Sequence, residues 1–381
     1  MCCTFTEEKA GAAMKKKIIL LLTVCICLTA CSSKEKKVPL EDIGMVGVMA
    51  IDYIDEDLFR LTMTIPQFSE DAKENNESFT VETDLLSKGI IEIESLSDKK
   101  VVLNQLQVIL INEEFARLGQ TEEIIRFLYR NSEIGNKVLI AVVKESGEKI
   151  LSAKYPDKPN INFYLNDLLG PSINTAFNPN TNIHDFMYTQ TNPVFDSILP
   201  YLTKKEDEIE LSGIALYKAK SMIKVLTPQE GLIIQSLQNR KNLMPLYLTL
   251  NENNGEEKLL LDLLNSRVNM KSNKDLSSPK LTIHLKLEGT LVEYKGVKEG
   301  QLNTNKDISK LQNEINQKLE SDILNFMEEL KELQVDPVGL TENFRMYYNG
   351  DWSHKKTIDV ISKLELDITV ETIIFSTGTL K

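Results

Sequence analysis

The sequence predicts an α+β protein of more than one domain, built from mixed and antiparallel sheets that are each covered by helices. Three observations carry that expectation. Short apolar runs suited to strands recur through the first half (residues 43–52, 58–65, 106–111 and 137–143), with helix-patterned stretches between them. The second half reads as consecutive strands followed by one long amphipathic helix, which should pack on the C-terminal sheet. The chain of 381 residues is also longer than one core requires, given ~100–200 residues per domain.

Residues 15–31 read KKKIILLLTVCICLTAC: three lysines, thirteen uncharged residues (18–30), then a cysteine. A positive n-region, an apolar h-region and small residues before a cut make an export signal. The apolar run is short for a bilayer span, which takes about 20 residues. Leu-Thr-Ala-Cys resembles the lipobox of bacterial lipoproteins, so cleavage is expected between Ala30 and Cys31, with a diacylglyceryl group on the Cys31 sulfur. Residues 1–13 carry Glu7 and Glu8 and fit poorly ahead of such a signal, so Met14 is the expected start. All five cysteines lie at or before position 31, and a mature chain with no free thiol has no disulfide to lean on.

The formal charge is −12; removing residues 1–31 takes away four lysines and two glutamates and leaves 40 basic against 54 acidic residues, or −14. That balance argues against a nucleic-acid partner and against holding anionic lipid by overall charge. The acyl chains must do the holding, since two chains anchor stably where one gives only about 10⁴ M⁻¹.

After a polar linker, residues 43–52 and 58–65 are expected to pair as a hairpin, and the acidic run 70–77 to be a solvated loop. Apolar positions at near-helical spacing predict a helix over 85–96. Helices are also expected over 113–118 and 121–130, the second opening with Thr121, Glu122 and Glu123 as a capping box. Residues 152–205 hold six prolines and are expected to wrap a core rather than form one. The charge-rich stretch 204–210 marks the main boundary, dividing a 32–205 region from a 206–381 domain.

Strands are expected over 211–217 and 222–226, then a helix with Thr227 as N-cap, Pro228 at its first position and Glu230 closing a capping box. Residues 246–250, 259–270 and 281–294 continue as strands, the last alternating Leu281, Ile283, Leu285 and Leu287 against a polar face that includes His284. Residues 307–334 carry apolar residues every three or four positions from Ile308 to Leu333, as a helix laid across a sheet requires. Asp336 and Pro337 stop it, and residues 358–375 alternate as a final strand or pair.

Several of these segments together resemble the Ger(x)C family, the lipoprotein C subunits of spore germination receptors. The resemblance rests on GIIEIESLSDKKVVLNQLQVILINEEFARLG at 89–119 with VLIAVV at 138–143, and on Leu40, Glu41, Asp42 and Ile43 before the strand closed by Asp52. Gly213, Lys218, Lys220, Leu226 and Glu230 match the opening of the family's second half. Asp336, Gly339, Leu340, Glu342 and Trp352 match a later motif, and Thr377-Gly378 a terminal one. Ser32 departs from the tryptophan that commonly follows the family's cysteine.

Membership implies a non-catalytic lipoprotein on the outer face of the spore inner membrane. It implies lipid attachment at Cys31 and membrane-embedded A and B subunits of the germinant receptor as partners.

No reactive constellation is legible. There is no G-x-S-x-G, P-loop, G-x-G-x-x-G or H-E-x-x-H, and His184, His284 and His354 are far apart in sequence. No catalytic, cofactor-binding or metal-binding residue is therefore expected, and no cofactor. Two other classes fit a tethered exported domain: a solute-binding lipoprotein of an ABC importer, and a cell-wall enzyme.

Overall fold

The computed structural model describes residues 39–376, apart from 68–75, 171–177, 180, 240–242, 253–254, 297–301 and 303. The leader with Ala30 and Cys31, the Thr377-Gly378 pair and most of the acidic run 70–77 lie outside the described residues. Residues up to Ile43 are a unit of their own, with one 3-10 turn at Leu40–Asp42. The body begins at Gly44.

The chain runs through β1 (Ile43–Met45), β2 (Val48–Tyr53), β3 (Phe59–Pro66), β4 (Asn76–Thr83), helix α1 (Leu86–Leu96), β5 (Lys100–Val102) and β6 (Val108–Asn112). Helices α2 (Glu113–Arg117) and α3 (Thr121–Arg130) lead to β7 (Leu139–Val143). Three further helices, α4 (Gly147–Ser152), α5 (Ile161–Leu169) and α6 (Ile183–Thr191), precede the meander β8 (Ile198–Lys205), β9 (Glu208–Lys218) and β10 (Ser221–Leu226). Eight of these strands form one sheet in the order β10-β9-β8-β7-β6-β2-β3-β4. Strands β2, β6, β7 and β8 run parallel, and the flanking pairs are antiparallel.

The centre is apolar without alternation because it is covered on both faces. Met49, Ile51, Ile109, Ile111, Ile140 and Val142 enter one core with α1, α2, α3 and α6. Val48, Ala50, Val108, Leu110, Ala141 and Val143 enter the opposite core with α4 and α5. Each of the Val, Leu, Ile and Met side chains among them contributes about 1.5–3 kcal/mol on leaving water.

Helix α7 (Pro228–Leu237) then leads into a second sheet of β11 (Leu246–Glu252), β12 (Gly255–Ser272) and β13 (Lys280–Lys295). After α8 (Asn305–Leu333), α9 (Glu342–Arg345) and α10 (His354–Lys363), β14 (Glu365–Ser376) completes it, parallel to β13. The stripe Leu311, Ile315, Leu319, Ile323, Phe326 and Leu330 is buried in one core with Leu281, Ile283, Leu285 and Leu287 of β13. The helix therefore lies on the sheet as its pattern predicts.

The other flank of α8 serves the open edge of β14. Gln312 Nε2 donates to the Thr372 carbonyl (2.6 Å), while the Thr372 and Val370 N–H groups donate to Asn316 Oδ1 (2.8 Å) and Glu320 Oε1 (2.9 Å). Three side chains one turn apart thus satisfy backbone groups that an edge strand would otherwise offer to another chain.

The Thr227 box forms: its Oγ1 accepts from Glu230 N (3.2 Å), and Glu230 Oε2 accepts from Thr227 N (2.6 Å). Thr227→Ala is expected to cost about 1 kcal/mol in urea unfolding, as loss of an N-cap does, and an unchanged midpoint would contradict it.

Four expectations need correction. Thr121 is not a cap; Gln120 takes that position, and the Thr121 hydroxyl is buried 3.3 Å from the Tyr217 hydroxyl. The last two residues of the acidic run, Asn76 and Glu77, open β4. The proline-rich region supplies β8, an interior strand of the first sheet, in addition to its wrapping helices. Residues 358–363 are helix, because Thr357, Val360, Ile361 and Leu364 bury a three-and-four repeat that resembles alternation over so short a span. Apart from those four, the charged stretch 204–210 spans the turn of the β8–β9 hairpin.

Candidate functional site

The three histidines stay apart. His184 on α6 has Nδ1 3.3 Å from the Tyr129 hydroxyl, His284 is exposed on β13, and His354 opens α10. Among the described residues no three His, Cys, Asp or Glu side chains gather as metal ligands would. Cys31 and Ala30 lie outside the described residues.

The chain does bring together a pair of buried carboxylates, Asp196 and Asp336. Helix α8 ends with Gln334 in the left-handed region (φ 58°), and Pro337 prevents its continuation. The turn that follows wraps the Asp336 side chain. Its Oδ1 accepts from the Gly339 and Leu340 N–H groups (2.7 and 2.8 Å), and its Oδ2 accepts from the Thr341 N–H and hydroxyl (2.9 and 2.8 Å).

Asp196, in the segment leading into β8, is cross-linked to this turn. Its Oδ2 accepts from Asp336 N (2.8 Å), its own N–H donates to the Asp336 carbonyl (3.2 Å), and its Oδ1 accepts from Ala219 N (3.4 Å) in the β9–β10 turn. Burial raises both carboxyls above their ordinary range. For Asp336 the value is pushed up to about 6, even though the Thr341, Leu340 and Gly339 donors pull the other way.

Trp352 makes a further tie. Its Nε1 donates to Thr357 Oγ1 (2.8 Å), which donates to the Pro193 carbonyl (2.6 Å). Of the motif residues, Asp336 is thus bonded to Asp196, Gly339 lies against Phe195, and Trp352 reaches Pro193 through Thr357, while the Leu340 N–H holds Asp336. Glu342 does not join them; it pairs with Arg345 on the surface (2.6 Å).

The other singled-out residues are distributed. Asp52, at the end of β2, accepts from Ser146 Oγ (2.9 Å) and the N–H groups of Gly147 (2.6 Å) and Glu148 (2.9 Å) at the start of α4. Lys218 Nζ donates to Gln334 Oε1 (3.2 Å), and Lys220 pairs with Glu122 (3.0 Å). These contacts lock segments together, and none presents an activated nucleophile.

A cleft of about 500 Å³ lies between α7, β11 and α8. Leu232, Leu246, Leu285, Leu319, Ile323 and Phe326 line it, with Glu230 and Glu329 at the rim. Lys224 holds both carboxylates, at 3.0 Å from Glu230 and in direct contact with Glu329. Neither the cleft nor Asp196 is singled out by sequence, because the partners lie far apart along the chain.

Comparison with known proteins agrees with this architecture. Residues 36–204 match the family model described as spore germination protein N-terminal domain, and residues 212–378 match spore germination B3/GerAC like, C-terminal. The chain is similar to the spore germination protein GerQC of Bacillus cereus, 23% identical over 363 residues that cover 95% of this chain and 99% of that protein. The crystal structure of the GerBC protein has the same fold, with a TM-score of 0.54 at 16% identity, covering 85% of this chain and 96% of that one. Matched in order over both halves, the chain belongs to the Ger(x)C family, the C subunits of the germinant receptors of spore germination.

Proposed function

We propose that this protein is a non-catalytic lipoprotein subunit of a nutrient germinant receptor, anchored through Cys31 on the outer face of the spore inner membrane and needed for receptor assembly. The supporting observation is one of order: a Leu-Thr-Ala-Cys lipobox at 28–31 stands directly ahead of two germination-family halves that run from 36 to 378. Residues 1–31 would be the leader, and the second half would begin near 206, where one matched model gives way to the other.

Receptor C subunits work within complexes, and the partners here would be the membrane-embedded A and B subunits. The lipid raises the local concentration of the body beside those partners, so that modest protein contacts suffice. Among the described residues no helix is long and apolar enough to cross a membrane.

Cys31→Ala is expected to move the protein from the membrane to the soluble fraction and to slow nutrient germination. Unchanged fractionation would contradict the anchor. A purified body that bound germinant alone, with the receptor's specificity, would contradict the assembly role.

A further inference from the structure

We propose that residues 343–356 together with Lys274 form a face that seats on a phospholipid bilayer, with Tyr347, Tyr348 and Trp352 at the headgroup level and Lys274 and Lys356 directed at lipid phosphates. The proposal rests on the Cys31 anchor and adds to it an orientation of the body.

Charge supplies the first argument. The chain is −12 overall, yet with Arg345 and Glu342 set aside as a pair the face holds Lys274, Lys355 and Lys356 against Asp275 and Asp351, a local surplus of one positive charge. Glu342 is held by both Arg345 Nε and Nη2 (2.6 and 2.7 Å), so that pair adds no net charge, while Asp275 stays ionised, its carboxyl held below the usual range by the Ser277 hydroxyl and N–H (2.7 and 2.8 Å). Beyond a Debye length of about 10 Å at 0.1 M salt, the acidic remainder of the body is screened, so the local sign governs contact with a surface.

The second argument is the side-chain chemistry. Met346 and Tyr347 are 58% and 54% exposed. Lys274 Nζ sits 4.0 Å from the Tyr347 ring centroid and Lys356 Nζ 3.7 Å from that of Tyr348, whose ring meets Trp352 edge-on at 5.6 Å. Each ammonium is thus held over an aromatic ring and free to turn its remaining protons outward. Amphipathic rings with lysines beside them are what a membrane–water interface selects.

Position supplies the third. Strands β2, β6, β7 and β8 are parallel and adjacent, so the residues that precede each of them lie at one end of the sheet. The body begins at Gly44, just ahead of β2, and Pro193 and Asp196, just ahead of β8, hold the Asp336–Trp352 segment. Three strand spacings separate the starts of β2 and β8, about 14 Å. From Cys31 to Gly44 the chain reaches at most ~45 Å. A lipid at Cys31 therefore leaves this end of the sheet within tether reach of the bilayer, and this face carries exposed aromatic and basic side chains.

Trp352 is the sole tryptophan, so the test needs no added label. The intact lipidated protein is reconstituted into vesicles of phosphatidylcholine, alone or mixed with phosphatidylglycerol, with and without brominated acyl chains. Flotation reports the anchor, and quenching of Trp352 reports the face. Quenching is expected in both mixtures and should be stronger with phosphatidylglycerol at low salt. The double variant Lys274→Glu, Lys356→Glu should still float but seat more weakly, by about fivefold per charge removed. Tyr347→Ser, a substitution of an exposed side chain, should also lower quenching.

Three outcomes overturn the proposal: flotation without quenching, quenching indifferent to the lysine reversals, or protection of Trp352 that appears only when membrane-embedded receptor subunits are added. Failure to float removes the anchor itself and the proposal with it.

Discussion

Gly339→Ala is expected to destabilise the body by about 2–5 kcal/mol, through two costs that can be measured separately. Gly339 has φ +84°, where an L side chain costs about 1–2 kcal/mol. A Cβ there would also stand 2.6 Å from Cζ of Phe195 and closer still to its Cε1. Overpacking of this kind typically adds about 1–3 kcal/mol. The ring cannot withdraw freely, because Phe195 adjoins Asp196, whose carboxylate and N–H are both tied to Asp336, and it lies 6.3 Å from the Tyr188 ring.

A double-mutant cycle with Phe195→Ala separates the two costs: removing the ring should recover the overlap and leave the backbone cost. Gly135→Ala is the internal control. A Cβ at Gly135 meets nothing within 4 Å, so its effect should stay within about 0.5 kcal/mol. Equal urea midpoints for the Gly339 and Gly135 variants would remove Gly339 from the account.

The same junction shows where sequence reasoning stops. Long-range periodicity was legible: the α8 stripe and the Leu281–Leu287 alternation each repeat often enough to fix a face, and the core holds both. Local chemistry was legible where it is self-contained, as in the Thr227–Glu230 box. Strand β8 was hidden by Pro200, which normally argues against an interior strand. Pro200 is tolerated because the pairing with β7 begins only at Tyr201, leaving no bond that its missing N–H should make. In α10, three-and-four spacing over ten residues resembles alternation.

Asp336 was visible as a helix stop and as a motif residue. Asp196 was not, because its carboxylate meets Asp336 N across 140 positions and no period links them. The lipid cysteine is the reverse case. Its motif is complete within four letters, whereas the surface that the lipid brings to the membrane depends on how three distant segments converge.

Asp336→Ala should cost about 3–5 kcal/mol, since each buried donor left without an acceptor costs about 1–3 kcal/mol and part of that is offset by removing a buried charge. The change leaves the N–H groups of Gly339, Leu340 and Thr341 and the Thr341 hydroxyl without the acceptor they now share. Asp336→Asn tests the electrostatics more finely. Its amide oxygen can keep the Gly339 and Leu340 N–H groups, while its NH₂ faces the Thr341 N–H.

The sign of the pH effect follows from burial, which pushes the Asp336 carboxyl up to about 6, against an unfolded value near 3.8. Between these values the native state holds a proton that the unfolded chain has released. The contribution of this group to stability therefore falls as pH rises through that window, by about 2 kcal/mol from pH 4.5 to pH 7. The asparagine variant has no such group. Its stability relative to the parent should improve by about that amount over the same interval, whatever offset the misplaced amide sets. Urea unfolding of the parent and the variant at the two pH values measures it, and a parent that gained on the variant with rising pH would show that the four donors outweigh burial.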